Sequence, residues 1–180
     1  MRCFPLALAT MFAIFCSACK TVAPKPETGL AGQPVAPAGD VGRARVVVGL
    51  PEGSKWVAVP LGKAEANFHY AVMNEATKAF IGFKLVPAND PVLLMEMLSQ
   101  SLQGRGVDCG PLTVAVDGSE AAFSMTMKAE GSPVPVMDGR ISARRMPQGG
   151  SIVAHGLWPP AVAAESLRDY QLIVDRLKLD

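Results

Sequence analysis

Residues 67–85 read NFHYAVM-NEATK-AFIGFKL, and this stretch decides the fold class. Its second half places Ala79, Ile81, Phe83 and Leu85 at every other position. Side chains two apart on a β-strand share one face, so these four predict a strand with one apolar face. Residues 67–73 are also strand-like, and only the polar segment 74–78 separates the two. Because so short a connection joins antiparallel neighbours, the stretch predicts a β-hairpin.

Further strand-like segments lie on both sides of this hairpin. They are bounded by turn signals such as Pro51-Glu52-Gly53, Asp117-Gly118 and Gln148-Gly149-Gly150. One of them is predicted from the alternation of Leu112, Val114 and Val116. The predicted strands are 44–49, 56–59, 112–116, 123–127, 140–145 and 151–158.

Two helices are predicted between and after these strands. Asp90 can cap the first helix and Pro91 suits its first position, while Gly104 suits a left-handed C-cap. The second helix is predicted over residues 161–179. Apolar residues at helical spacing are Val92, Met95, Leu98 and Leu102 in the first helix and Val162, Tyr170, Ile173, Val174 and Leu177 in the second.

The order of elements is strands, helix, strands, helix. Short connections favour a mainly antiparallel β-sheet with helices packed on it, which is the α+β class. We expect Leu98 and Ile173 to be buried, because each lies on the apolar stripe of its helix.

The first 20 residues carry an export pattern. Arg2 precedes an apolar run over residues 4–15, which is shorter than the roughly 20 residues that span a bilayer. Ser17-Ala18 then precede Cys19, and this arrangement resembles the lipobox of bacterial lipoproteins, although Cys16 stands where those signals usually have Leu. The resemblance implies that residues 1–18 are a signal peptide and that Cys19 is lipidated, with palmitate-type acyl chains. The alternative is an ordinary signal peptide cut after Ala18.

The mature chain then divides into two parts. Residues 19–42 comprise the lipid anchor and a Pro/Ala/Gly-rich tether with a reach of about 25–30 Å. Residues 43–180 form a single α+β domain. Lys20 follows the cysteine where inner-membrane retention would favour Asp, so the lipoprotein resemblance implies the periplasmic face of the outer membrane.

Charge argues against nucleic acid as a partner. The chain has 17 basic and 16 acidic residues, and loss of the signal removes one basic residue, Arg2, so the mature formal charge is zero. Without a net positive field, and with only 6 % aromatic residues, the pattern of a nucleic-acid-binding protein is missing. The expected partners are a membrane, through the lipid anchor, and an envelope protein of unknown identity.

Residues 44–179 resemble PsbP-like domains in layout. The resemblance rests on the strand with Trp56, the Asn67-Phe68 strand, the Gly139-Arg140-Ile141 strand and the closing helix 166–177. It implies an α/β/α sandwich, and proteins of that fold are mostly non-catalytic binding or assembly accessories. The resemblance speaks to function only by association.

Arg140, Arg144 and Arg145, with His155 on the predicted neighbouring strand, are the candidate anion-binding residues. The planar guanidinium suits carboxylate and phosphate groups. The alternative is a solvated face of the sheet without a ligand. No metal-ligand spacing, nucleotide motif or other cofactor motif occurs in the sequence, so no metal or cofactor is predicted.

Cys109 and the Ser151/His155 pair are the candidates for chemistry. Asp108 next to Cys109 should raise the pKa of its thiol, which opposes reactivity. Ser151 and His155 lie about 13 Å apart on one strand, which is too far for a hydrogen bond. We therefore predict a non-catalytic, membrane-anchored binding or assembly module. The alternative is a secreted hydrolase or thiol enzyme whose site forms only in the folded chain.

Overall fold

The structure is a computed structural model, and it describes residues 46–50, 54–59 and 68–179. The predicted signal peptide, Cys19 and the predicted tether lie outside the described residues. The division of the chain into signal, tether and domain therefore stays a prediction.

An eight-stranded sheet forms the centre of the molecule, and every neighbouring pair in it is antiparallel. Its strands are β2 (Trp56–Ala58), β3 (Tyr70–Asn74), β4 (Ala79–Val86), β5 (Asp108–Cys109), β6 (Thr113–Val114), β7 (Glu120–Lys128), β8 (Pro135–Arg145) and β9 (Ser151–Trp158). Their order in the sheet is β2-β3-β4-β9-β8-β7-β5, and β6 also pairs with β7. The predicted α+β class with a mainly antiparallel sheet is confirmed.

The predicted hairpin is present as β3 and β4, with Tyr70 opposite Phe83 and Asn74 opposite Ala79. The Asn74 side chain accepts hydrogen bonds from the amides of Ala76 and Thr77, which fixes the turn. All four alternating apolar side chains of β4 are buried on one face of the sheet. The alternation of apolar residues in the sequence therefore predicted the buried face of β4 correctly.

The first helix, α1, is Pro91–Gln103. The Asp90 carboxylate accepts from the amides of Val92 and Leu93, as an N-cap does. The predicted left-handed conformation of Gly104 is wrong, because its φ is −60°. The turn after α1 takes its positive φ two residues later, at Gly106.

The second helix, α2, is Ala163–Asp175, preceded by a 3₁₀ turn, Pro160–Val162. The predicted helix over 161–179 is therefore too long. Lys178–Leu179 instead form a short strand, β10, which pairs antiparallel with β1 (Val46–Val47). Long-range pairing with a strand more than 100 residues away decides the end of this helix, and no local pattern reports such pairing.

The strand predicted over 112–116 is also shorter than expected. Only Thr113 and Val114 pair with β7, and Val114 is exposed. Val116 is fully exposed at the tip of the connection, where Gly118 takes a positive φ. Of the three alternating residues only Leu112 packs against the apolar cluster under α1, so the alternation does not mark a buried strand face.

Helices α1 and α2 lie on opposite faces of the sheet, which gives the predicted three-layer α/β/α arrangement. One apolar cluster, with Ile173 and Tyr170, lies under α2, and the other, with Leu98 and Met95, lies under α1. Strand β9 serves both, since Ala154 faces α2 and Val153 faces α1. The burial predicted for Leu98 and Ile173 is confirmed.

Candidate functional site

The sheet does not bring the four predicted anion-binding residues together. Arg140 and Arg144 lie on the face that packs against α2, because Arg144 is opposite Ile152 of that cluster. Arg145 lies on the other face, since it is an odd number of residues from both. His155 is opposite Ile141 on the α1 face, about 13 Å along the strands from the position of Arg145. The single patch expected from the sequence is therefore not formed.

Arg144 is engaged in structural contacts. Its guanidinium lies 3.1 Å from the Glu120 carboxylate and 3.8 Å from that of Asp175. It also donates to the carbonyl of Val174 at 3.4 Å, close to the C-terminal end of α2, where a positive charge is favourable. Arg144 thus fastens α2 to β7 and is poorly placed to take up a further anion.

Arg145 holds the loop before α1 against the β8–β9 turn. Its Nε donates to the carbonyl of Asn89 at 2.8 Å, and the Asn89 side chain accepts from the amide of Gly150. Ser151 donates its hydroxyl to the carbonyl of Ala88 at 2.6 Å. Ser151 therefore supports this loop, and the strand geometry keeps it away from His155.

Arg140 is partly exposed and contacts a hydroxyl group rather than a carboxylate. It donates to the Ser124 hydroxyl at 3.4 Å, and it forms no ion pair with the described residues. Asp138 lies on the same face and accepts from Thr126 at 3.1 Å. The Arg140 surface is thus a mixed polar face and not a concentrated positive patch.

His155 lies in an apolar setting. The Phe68 ring approaches it edge-on with 5.4 Å between ring centroids, and Gly82 is its neighbour on β4. Burial lowers the pKa of His155 to about 4, and the positive charge of Lys84 adds to the effect. His155 is neutral at pH 7 and so supplies no cationic charge for an anion.

A buried polar network, which the sequence did not reveal, joins α2 to the sheet. The Tyr170 hydroxyl lies 2.7 Å from the Ser142 hydroxyl and donates to the carbonyl of Ala154 at 3.0 Å. Burial raises the pKa of Tyr170, so the phenol stays protonated. These contacts satisfy polar groups inside the protein, which is a structural role.

Cys109 is partly buried beside α1, where its Sγ lies 3.9 Å from the carbonyl of Ser99. Burial raises the pKa of the Cys109 thiol, and the Asp108 carboxylate adds to this. Three strand spacings separate β5 from β9, so Cys109 and His155 are about 14 Å or more apart. The two do not form a thiol–imidazole pair.

A shallow hollow lies beside β2, the strand at the end of the sheet. Lys55, Val57, Glu75, Ala76 and Lys78 line it. The sequence carried little sign of it, since its residues come from two segments some 20 positions apart. The sequence signal that bears on it is the short strand with Trp56, because short strands are typical of sheet edges.

No helix in the described ranges is long and apolar enough to cross a membrane. No protein-family model matches the chain, and no curated protein matches it.

Solved structures similar to the chain include the following two. Cyanobacterial PsbP (CyanoP) from Synechocystis sp. PCC 6803 matches with a TM-score of 0.52 and 7 % identity, over 92 % of this chain and 99 % of that one. LpqN, involved in cell envelope biogenesis of Mycobacterium tuberculosis, matches with a TM-score of 0.50 and 12 % identity, over 82 % of this chain and 90 % of that one. Identities this low establish the fold alone. The chain therefore has the PsbP-like α+β fold that the sequence resemblance implied.

Proposed function

We propose that the chain is a lipoprotein held at the periplasmic face of the outer membrane, where its α+β domain serves as a non-catalytic binding or assembly module. Lipid on Cys19 is the anchor, and residues 20–42 are the tether that lets the domain reach a partner. Two or more acyl chains anchor a protein stably, whereas one binds only marginally.

One observation carries the envelope part of this proposal. The domain shares its fold with LpqN over most of both chains, and LpqN is involved in cell envelope biogenesis. In this chain the same fold follows an export pattern in which Cys19 is the proposed lipid acceptor. The two features are independent, since one lies in the first 20 residues and the other in the described domain.

The geometry of the reactive side chains supports the non-catalytic part. Activation of a thiol needs a lowered pKa, and Cys109 has a raised one. The Ser151 hydroxyl is directed to a backbone carbonyl and not to an imidazole. No observation among the described residues favours the hydrolase or thiol-enzyme alternative.

Anchoring is tested in a bacterial host with labelled palmitate and separation of the two membranes. The unaltered protein and Cys3→Ala should both be labelled and fractionate with the outer membrane, whereas Cys19→Ala should carry no label. Cys3→Ala is the matched control, because it removes a cysteine of the same signal without touching the acceptor. Unlabelled protein released to the periplasm after cleavage at Ala18 would instead support the ordinary signal peptide.

The membrane location and the non-catalytic role are tested separately. Lys20→Asp should move the labelled protein to the inner membrane, and an unchanged distribution would contradict the outer-membrane assignment. For the non-catalytic part, Cys109 should react slowly with an alkylating agent at neutral pH, more slowly than a small free thiol. Fast alkylation that Cys109→Ser abolishes would favour the thiol-enzyme alternative.

A further inference from the structure

We propose that the open edge of β2, together with the hollow beside it, binds an extended acidic peptide segment of a partner protein, which adds to the sheet as its next strand. This proposal identifies the chemistry of the partner, and it rests on the proposed function only in that the domain is a binding module. Peptide binding by this edge does not require the lipid on Cys19, so the two proposals can fail separately.

The backbone geometry of β2 leaves hydrogen-bonding groups facing outward. The amide of Val59 donates to the carbonyl of Ala71 at 3.0 Å, in register with the pairing of Val57 and Met73. In antiparallel pairs the bonded positions alternate, so the groups of residues 57 and 59 point to β3. The amides and carbonyls of Trp56 and Ala58 then point away from the sheet. Within the described ranges no strand pairs with this side of β2.

This edge is held in place before any partner arrives. The Trp56 side chain is buried under α2, and its Nε1–H donates to the Asp169 carboxylate at 2.8 Å. Pairing with β3 and the buried Trp56 side chain together hold the backbone of Trp56 and Ala58 in extended geometry. A preorganised edge loses little conformational freedom on binding, which favours affinity.

The side chains around the edge define the chemistry of the occupant. Lys55 and Lys78 are exposed, and neither forms an ion pair with Glu75 or another described acid. The hollow thus has two ammonium groups and one carboxylate around the half-exposed Val57. In an added strand, every second side chain lies on the face that carries the hollow. A peptide in which carboxylates alternate with small apolar residues can therefore place its carboxylates beside the two lysines.

Lysines at a sheet edge also have a purely protective role, since they oppose pairing between copies of one chain. That role predicts no preference for an acidic peptide. It predicts instead that replacing both lysines lets the protein self-associate. The two explanations therefore differ in a measurable way.

The test uses the purified full chain and blocked ten-residue peptides in which Val alternates with Glu, Gln or Lys, measured by fluorescence anisotropy. We expect the Glu peptide to bind about tenfold or more tightly than the Lys peptide, and rising salt should reduce this difference. The double variant Lys55→Gln with Lys78→Gln should bind the Glu peptide about tenfold more weakly than the unaltered protein. Lys128→Gln is the matched control, an exposed lysine on β7, and should have no effect.

A second variant tests the backbone. Ala58→Pro removes an outward-facing N–H without breaking a bond to β3, so the domain should keep its thermal stability and lose binding of the Glu peptide. The proposal is overturned if no peptide binds, if the Glu and Lys peptides bind equally, or if folded Ala58→Pro binds as well as the unaltered protein. Self-association of the double lysine variant without acidic-peptide binding would identify the lysines as protective only.

Discussion

Gly156 lies where Tyr170 of α2 packs closely against the sheet. A Cβ atom placed there would lie 2.5 Å from Cδ2 of Tyr170 and 2.6 Å from Cζ3 of Trp158. Both rings are buried and in edge-to-face contact, with 5.9 Å between their centroids. The absence of a side chain at residue 156 is therefore what lets the Tyr170 phenol reach Ala154 and Ser142.

Gly156→Ala should lower the free energy of unfolding by about 1–3 kcal/mol, because the added methyl group overpacks this contact. Gly104→Ala is the matched control, since its nearest neighbour would be 3.5 Å away and its φ is ordinary. That control should be neutral or slightly stabilising, as alanine is the better helix former. Urea unfolding of the two variants provides the comparison, and equal stabilities would contradict this account of Gly156.

His155 should make the stability depend on pH in the acidic range. Its pKa is about 4 in the folded chain, against 6.5 ordinarily, so the unfolded chain binds the proton more readily. The free energy of unfolding should fall as the pH is lowered from about 6.5 to 4, by about 1–3 kcal/mol for this partly buried ring. His155→Gln cannot titrate, and it should show a correspondingly flatter pH profile in denaturant unfolding. Identical slopes for the two proteins would show that His155 is not held neutral.

At the scale of elements, α1 offers an internal comparison between its buried and exposed faces. Leu98 is buried against β7 and β8, whereas Leu93 on the same helix is 54 % exposed. Leu98→Ala should cost about 2–5 kcal/mol through lost apolar burial and the cavity left behind. Leu93→Ala removes the same atoms from the outer face and should cost well under 1 kcal/mol. Thermal unfolding of both variants tests the assignment of the helix face, and a larger loss for Leu93→Ala would contradict it.

The same element shows what local sequence patterns can establish. Asp90, Pro91 and the spacing of Met95, Leu98 and Leu102 correctly predicted the start and the buried face of α1. The predicted left-handed conformation of Gly104 was wrong, because the positive φ of this turn is at Gly106. The position of that residue depends on how the chain rejoins the sheet at β5. The N-cap of a helix can be predicted from a few neighbouring residues, whereas the path of the chain after the helix depends on tertiary contacts.

The candidate site shows a different limit. That Arg145 faces away from Arg140 and Arg144 follows from strand parity, which was available from the sequence. The placement of His155 was not available, because it depends on the register between β8 and β9. The hollow at β2 depends on a strand and a distant turn meeting at the sheet edge, and no spacing in the sequence reports that meeting.

For the molecule as a whole, three features of the described residues are compatible with a non-catalytic accessory module. The helices cover opposite faces of one sheet, Cys109 and Ser151 contact backbone carbonyls, and no strand in the described ranges pairs with the outer side of β2. A tether of about 25–30 Å between lipid and domain would let that edge meet a partner close to the membrane. We propose that this domain works while anchored at Cys19.

The most direct test is mass spectrometry of the N-terminal peptide of the mature protein, isolated from the membranes of a bacterial host. We expect the mature chain to begin at Cys19 and this residue to carry a diacylglyceryl group, with a further acyl chain on its amine. A mature chain that begins at Cys19 without lipid, and is recovered from the soluble periplasmic fraction, would contradict this expectation.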